Sequence, residues 1–506
     1  MNNIANIINF VRAVEPRVED DSYLLPTLKN ELELCRRHDF RSTVLLQYDA
    51  LISEDYRVLL NEYADETEKG LWFEVVKPLC EACGIEWRGR YPWDWHNDVG
   101  FLIGYEPEDR KKLIDEAFER YKYYFGAYPE VAGSWHIDAF SLAYMAEKYN
   151  IKAACICKEQ SGTDGYTLWG GFFNGVYYPC KNNMISPAVS KENQINVPVF
   201  RMLGSDPIYQ YDLGLGDPEK SQAVATLEPV YGNAGADKKW VEWFLDESFG
   251  EKGLSVSYTQ FGQENSFGWD KIGKGLSMQF DILERKIADG RINLMTLGEA
   301  GKLFSSLYSV TPPQTVCADS DIRMNGYKTA WYQCRKYRVD FLYQPGSFRL
   351  RDLYLYEDAY KENYLSKRVN GHNCGYYALP VTDGFRFSKG GTVAGIYVCG
   401  ADCGDYRSST DENGTVVITA GNVRATACED GIEINLPDGA YLRFEYSKEC
   451  RVPYIRAEKK ELFMSAKEFP DAPEYSYSLK LGKGFFTDRG GHIDIFPENN
   501  IIKIII

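Results

Sequence analysis

"PEDRKKLIDEAFERYKYYFGAYPEVAGSWHIDAF", residues 107–140, reads as a helix, a strand and the start of a second helix, and that order decides the fold class. Pro107 followed by Glu108 and Asp109 suits a first helical turn, where a missing N–H costs nothing and acids meet the positive end of the helix dipole. Apolar residues then recur at three-and-four spacing over 107–125, as in a helix that lays one face on a barrel. "VAGSWHI" (131–137) follows as a short apolar strand.

The same alternation extends outward. Further strands are expected at "ANIINFV" (5–11), "TVLLQY" (43–48), "GIEWRGR" (84–90), "KAACIC" (152–157), "VPVFRML" (197–203), "LSVSYTQF" (254–261) and "INLMTL" (292–297). Helical patterns separate many of them, and "DILERKIADG" (281–290) ends in a glycine at a C-cap position. Repeated βα units imply a parallel sheet or barrel, so residues 1–305 are expected to form a distorted (β/α)7–8 barrel. From "SVTPPQTV" (309–316) the texture changes to strands separated by Gly, Asn and Asp turns, and residues 310–506 are expected to form an all-β sandwich.

Composition narrows the function. A chain of 506 residues with 44% hydrophobic content can bury a large core. A net charge of -16 supplies no basic stripe to neutralise phosphates, so a nucleic-acid partner is not expected. The stretch "MNNIANIINFVRAVEPR" lacks a basic segment followed by an unbroken apolar run, and no later run is long enough for a bilayer. No membrane partner is expected. The thirteen cysteines are scattered and read as buried reduced thiols; "CEAC" (80–83) lacks a second Cys/His pair at zinc-finger distance. The expected compartment is therefore the cytoplasm.

Barrel chemistry belongs at the C-terminal ends of the strands, and polar residues cluster there. Strand one runs toward Arg12, and "QYDAL" brings Asp49. The expected third strand carries Glu86 and Arg88 and runs into "PWDWHND", with Trp93, Asp94 and His96. "GSWHIDAF" holds Trp135, His136 and Asp138, and "RMLGSDPIYQYD" holds Asp206 and Asp212. "TQFGQENSFGW" adds Gln263, Glu264 and Trp269. Carboxylates, amides and indole rings at one mouth suit a sugar, whose hydroxyls need polar partners while its C–H faces stack on aromatics. Structural roles compete for several of these residues. Asp138 is well placed to cap the helix beginning "AFSLAYMAEKY", His136 to be a packed histidine and Asp206 to start a turn.

The run "RSTVLLQYDAL", "GIEWRGRYPWDWH" and "VGFLIGYEPEDRKKLIDEAFERYKYYFGAYPEVAGSW" resembles the glycoside hydrolase/deacetylase superfamily over roughly residues 5–300. In polysaccharide deacetylases of that group a His-x-x-x-His metal pair precedes a helix, and "FGAYPEVAGSW" is similar to the segment after it. His96 falls near the first metal histidine. Gly100 stands where the second would be, and "NFVRAVEPR" (9–17) replaces the paired aspartates, with Glu15 as a substitute ligand. A zinc hydrolase needs about three protein ligands and an open position for water. His96 is therefore read as a partner of a sugar hydroxyl, and no metal or other cofactor is expected.

The other branch, which includes family 57 glycoside hydrolases, carries two carboxylates at the ends of strands four and seven. On this chain those positions correspond to Asp138, read as nucleophile or base, and Glu264, read as general acid. Arg12, Asp49, Glu86, Arg88, Trp93, Asp94, His96, Trp135, His136, Asp206, Gln263 and Trp269 are the expected sugar-binding residues. The leading expectation is a hydrolase cleaving glycosidic bonds in an oligosaccharide or glycoside. A divalent-metal-dependent de-N-acetylase such as a zinc enzyme and a catalytically inactive carbohydrate-binding protein are the alternatives, and a homo-oligomer is left open.

Overall fold

The computed structural model describes residues 2–210, 225–466 and 474–506; Asp212 lies outside them. Five parallel strands follow in order, β1 (Asn2–Val11), β2 (Ser42–Leu46), β3 (Thr67–Trp72), β4 (Val131–Gly133) and β5 (Ala153–Ile156). The strand Val199–Arg201 continues the sheet beside β5, and Val256–Phe261 and Asn293–Leu294 both pair with β1. Between Val199–Arg201 and Val256–Phe261 the backbone ladder is interrupted. Side chains close that gap: Gln260 Oε1 accepts from the Leu203 N–H at 3.1 Å, and the rings of Phe200 and Tyr258 meet at 4.9 Å. The barrel is thus distorted, as its sequence predicts, and buries β1, β2 and β5 almost wholly.

One strand departs from expectation. "GIEWRGR" (84–90) is an irregular, mostly exposed loop, and β3 is formed by Thr67–Trp72. That segment opens on three polar residues, and its Gly70 is required by close packing. A Cβ there would stand 2.5 Å from a methyl of Val131 on β4 and 2.7 Å from one on Leu45 of β2.

The last barrel helix, Leu297–Leu307, is followed at Gln314–Ala318 by the first of two large antiparallel sheets. Strands such as Val416–Ala420 alternate buried and half-buried residues, and the two sheets share one apolar core that includes Val339, Phe341, Ile418 and Leu442. The second region is not confined to that sandwich. Residues 356–377 leave it and run back over the barrel, where Cys374–Tyr377 adds a parallel strand to the hairpin Gln160–Thr163/Tyr166–Trp169. The hairpin turns at Asp164 and Gly165, both with positive φ, as a two-residue Asp-Gly turn requires. No disulfide forms among the described residues, and most cysteines are buried. Among the described residues no helix is long and apolar enough to cross a membrane.

Candidate active site

A cleft of about 380 Å³ opens at the C-terminal ends of the parallel strands. Its floor is Arg12, the residue after β1. The Arg12 guanidinium is buried and meets Glu264 at 2.7 Å, Glu74 at 3.2 Å and Glu15 at 3.2 Å. Glu74 follows β3 by two residues, and Glu264 lies just past the strand Val256–Phe261, in bridge contact with Phe10 of β1. The sheet order therefore brings three chain segments onto one cation.

The acids around Arg12 are not equivalent. Burial pushes the Glu74 carboxyl up to about 7, against the pull of Arg12, while the neighbouring charge of Glu264 adds to the rise. Its Oε2 also accepts from the Trp72 indole N–H at 3.0 Å. Glu15 is opposed by burial yet held below the usual carboxylate range by hydrogen bonds from Arg17 and the charge of Arg12. Farther along the wall, burial raises Glu228 against the influence of Lys158, and Thr226 and Gln263 donate to its two oxygens at 2.8 and 3.3 Å. Burial also raises Asp164 at the hairpin tip, which lines the cleft as well.

Aromatic rings form the remaining walls. Trp93 lies 4.0 Å from the Arg12 guanidinium and 4.9 Å from that of Arg17, and Trp95 continues the row. Trp135, Phe101, Tyr166, Tyr231 and Phe267 complete the lining. Flat apolar faces beside carboxylates match the two-sided surface of a pyranose.

Of the expected binding residues, Arg12, Trp93 and Trp135 reach the cleft, and Glu264 of the expected catalytic pair does too. Gln263 stands behind it and orients Glu228. Asp138 requires correction. It is fully buried outside the cleft, where it caps the helix Ala139–Tyr149 through Ser141 and pairs with Arg110 at 2.9 Å. Its carboxylate is committed to structure and is not brought to Glu264.

Others are displaced for equally physical reasons. Glu86 and Arg88 sit on the exposed loop that replaces the expected strand, with Arg88 bonded to the Gly104 carbonyl. Asp94 receives two hydrogen bonds from the Arg90 guanidinium, and His96 stacks on His372 rather than lining the cleft. His136 is buried against Phe101 with Nε2 at 2.8 Å from Asn97 Oδ1, and burial carries its pKa down to about 3. Asp206 closes a turn onto the N–H groups of Ile208 and Tyr209. Asp49 accepts from the N–H groups of Ala13 and Ala50 behind Arg12, and Trp269 begins a packed helix. Glu74 and Glu228 are the acids that sequence reasoning misses. The signal for Glu74 is a single carboxylate inside the apolar run "LWFEVV" (71–76).

A deacetylase-type metal centre does not fit this cleft. The end of β1 contributes a guanidinium, Glu15 is tied to Arg12 and Arg17, and His96 lies outside the lining.

No family model matches the chain, and no curated protein matches it either. Among solved structures it is similar to one from Parabacteroides distasonis named as a glycoside hydrolase/deacetylase, with a TM-score of 0.55 and 16% identity over 75% of this chain and 90% of that one. A polysaccharide deacetylase from Mycobacterium smegmatis matches at a TM-score of 0.36 and 10% identity, covering 60% of this chain and 91% of its own. A 4-alpha-glucanotransferase from Thermococcus litoralis matches at 0.32 and 11%, covering 100% and 99%. Of these three, the first carries weight, and at that identity it speaks for the fold.

Proposed function

We propose that this protein is a glycoside hydrolase whose catalytic carboxylates are Glu264 and Glu74. The supporting observation is that one buried guanidinium gathers both acids at the floor of a tryptophan-lined cleft. Glu264 keeps the shorter ion pair with Arg12 and acts as the charged nucleophile at the anomeric carbon. Glu74, buried and raised to about 7, holds a proton near neutrality and delivers it to the leaving oxygen. Its desolvation thus serves the role that sequence reasoning assigned to Glu264.

The spacing favours retention of configuration. Glu74 and Glu264 each place Oε2 on the same Arg12 nitrogen, at 3.2 and 2.7 Å, so these facing oxygens are nearer than the roughly 6.5–9.5 Å of an inverting pair. A covalent glycosyl-enzyme ester on Glu264 is then hydrolysed by water that Glu74 deprotonates.

The test is peptide mapping by mass spectrometry after exposure to a panel of activated 2-deoxy-2-fluoro glycosides. A sugar adduct on the Glu264 peptide is the expected result. An adduct confined to another carboxylate, or turnover that inverts the anomeric centre, would overturn the assignment.

A further inference from the structure

Among the described residues three cations line the cleft, Arg12, Arg17 and Lys158. Two of them have counter-ions within the protein: Arg12 pairs with Glu15, Glu74 and Glu264, and Arg17 pairs with Glu15. Lys158 differs. It stands two residues past the end of β5, where the cleft opens, and is only 6% exposed. Among the described residues its ammonium has no hydrogen bond and no carboxylate at ion-pair distance.

Two acids of the same cleft come near Lys158 without pairing. The oxygens of Glu228 are occupied by Thr226 and Gln263, at 2.8 and 3.3 Å. Asp164 is exposed at the tip of the hairpin. Burial raises both carboxyls and Lys158 pulls against that rise, so each takes up a proton more readily than an ordinary acid when a further negative charge arrives.

A buried cation without a counter-ion is costly, and buried charges are characteristically paired. Sugar hydroxyls would occupy the three N–H donors of the ammonium and leave its charge unmatched, whereas a carboxylate satisfies both. Trp93 and Trp95 supply stacking faces for the ring that would carry it. We propose that Lys158 binds the carboxylate of a uronic acid residue, so that the substrate is an acidic glycan. This substrate class rests on reading the cleft as a glycosidase site. Lys158 selects the sugar, while Glu264 and Glu74 act on the glycosidic bond.

The experiment is titration of glucuronate, galacturonate, glucose and galactose into the full chain at matched ionic strength, followed by the fluorescence of the cleft tryptophans. At least one uronate is expected to bind about tenfold or more tightly than its neutral counterpart. Lys158→Met should abolish that preference, and Lys158→Arg, which keeps the charge, should retain part of it. The comparison within the wild type stands even where a variant fails to fold. Binding of neither uronate above its neutral counterpart, or a preference that persists in Lys158→Met, would overturn the proposal. Because binding is read without turnover, a protein that cleaves nothing can still show the preference. A hydrolase specific for neutral sugars would fail this test and leave the roles of Glu264 and Glu74 untouched.

Discussion

The buried arginine–carboxylate clusters at Arg110 and at Arg12 differ in how charge is matched. At Arg110 every guanidinium nitrogen is spent: Nε on the Tyr105 carbonyl, Nη1 on Asp138 and the Tyr364 carbonyl, Nη2 on the Lys367 carbonyl. Asp138 is equally committed, to Arg110, the Ser141 N–H and the Ser141 hydroxyl. At Arg12 one guanidinium faces three carboxylates, and the surplus of negative charge opens onto a cleft. Saturated pairing inside a protein braces the fold, whereas an excess of like charges leaves one acid holding its proton. In the proposed mechanism that difference gives the chemistry to Glu264 and Glu74, and Asp138 a bracing role.

Glu264→Gln gives the largest expected separation between the clusters. Turnover should fall by about 1,000-fold or more, close to 4 kcal/mol of transition-state stabilisation, with the urea midpoint nearly unchanged. Equal turnover in wild type and variant would place the reaction elsewhere.

Asp138→Ala should do the opposite kind of damage. It leaves Arg110 buried without its counter-charge, at a cost of about 3–5 kcal/mol, and urea denaturation followed by fluorescence measures it. A variant as stable as the wild type would show that this cluster is not a brace.

A smaller effect distinguishes Glu74 by pH. Its pKa is raised on folding, from an ordinary 4.5 to about 7, because burial favours the neutral acid. The folded state therefore holds a proton that the unfolded chain has released, and the stability this contributes is complete below pH 4.5 and is lost as pH rises through 7. Glu74→Gln stays neutral throughout, so relative to wild type it should gain about 2–3 kcal/mol between pH 5 and pH 8. A difference independent of pH would mean that Glu74 titrates normally.

The smallest expected effect concerns the cleft wall. Trp95→Ala should raise KM about tenfold with little change in kcat, since a stacking face serves substrate and transition state alike. A loss confined to kcat would instead give Trp95 a role in the reaction step.

The strands that are continuous apolar runs, such as those around Ile7 and Cys155, are legible in the sequence because burial on both faces demands it. β3 is not, because Gly70 answers to the side chains of Val131 and Leu45 on neighbouring strands. That single misplacement carries Glu86 and Arg88 into the expected site and hides Glu74. Arg12 and Glu264 are readable as mouth residues. Their ion pair joins positions 252 residues apart, however, and no local pattern records it. For Asp138 the capping role is visible in the sequence, and what decides it is Arg110, supplied by another helix. The segment that runs back over the barrel, residues 356–377, is the least legible element: "YKENYLSKRVNGHNC" (360–374) looks like a polar connection, and its partners lie on the barrel.

The most direct measurement is mass spectrometry of products after wild type, Glu264→Gln and Glu74→Gln are each incubated with a mixed pool of oligosaccharides and N-acetylated glycans, with and without a chelator. The wild type is expected to release whole sugar units under both conditions, and the two variants few or none. Undiminished release by Glu264→Gln, or loss of acetyl groups that the chelator stops, would contradict it.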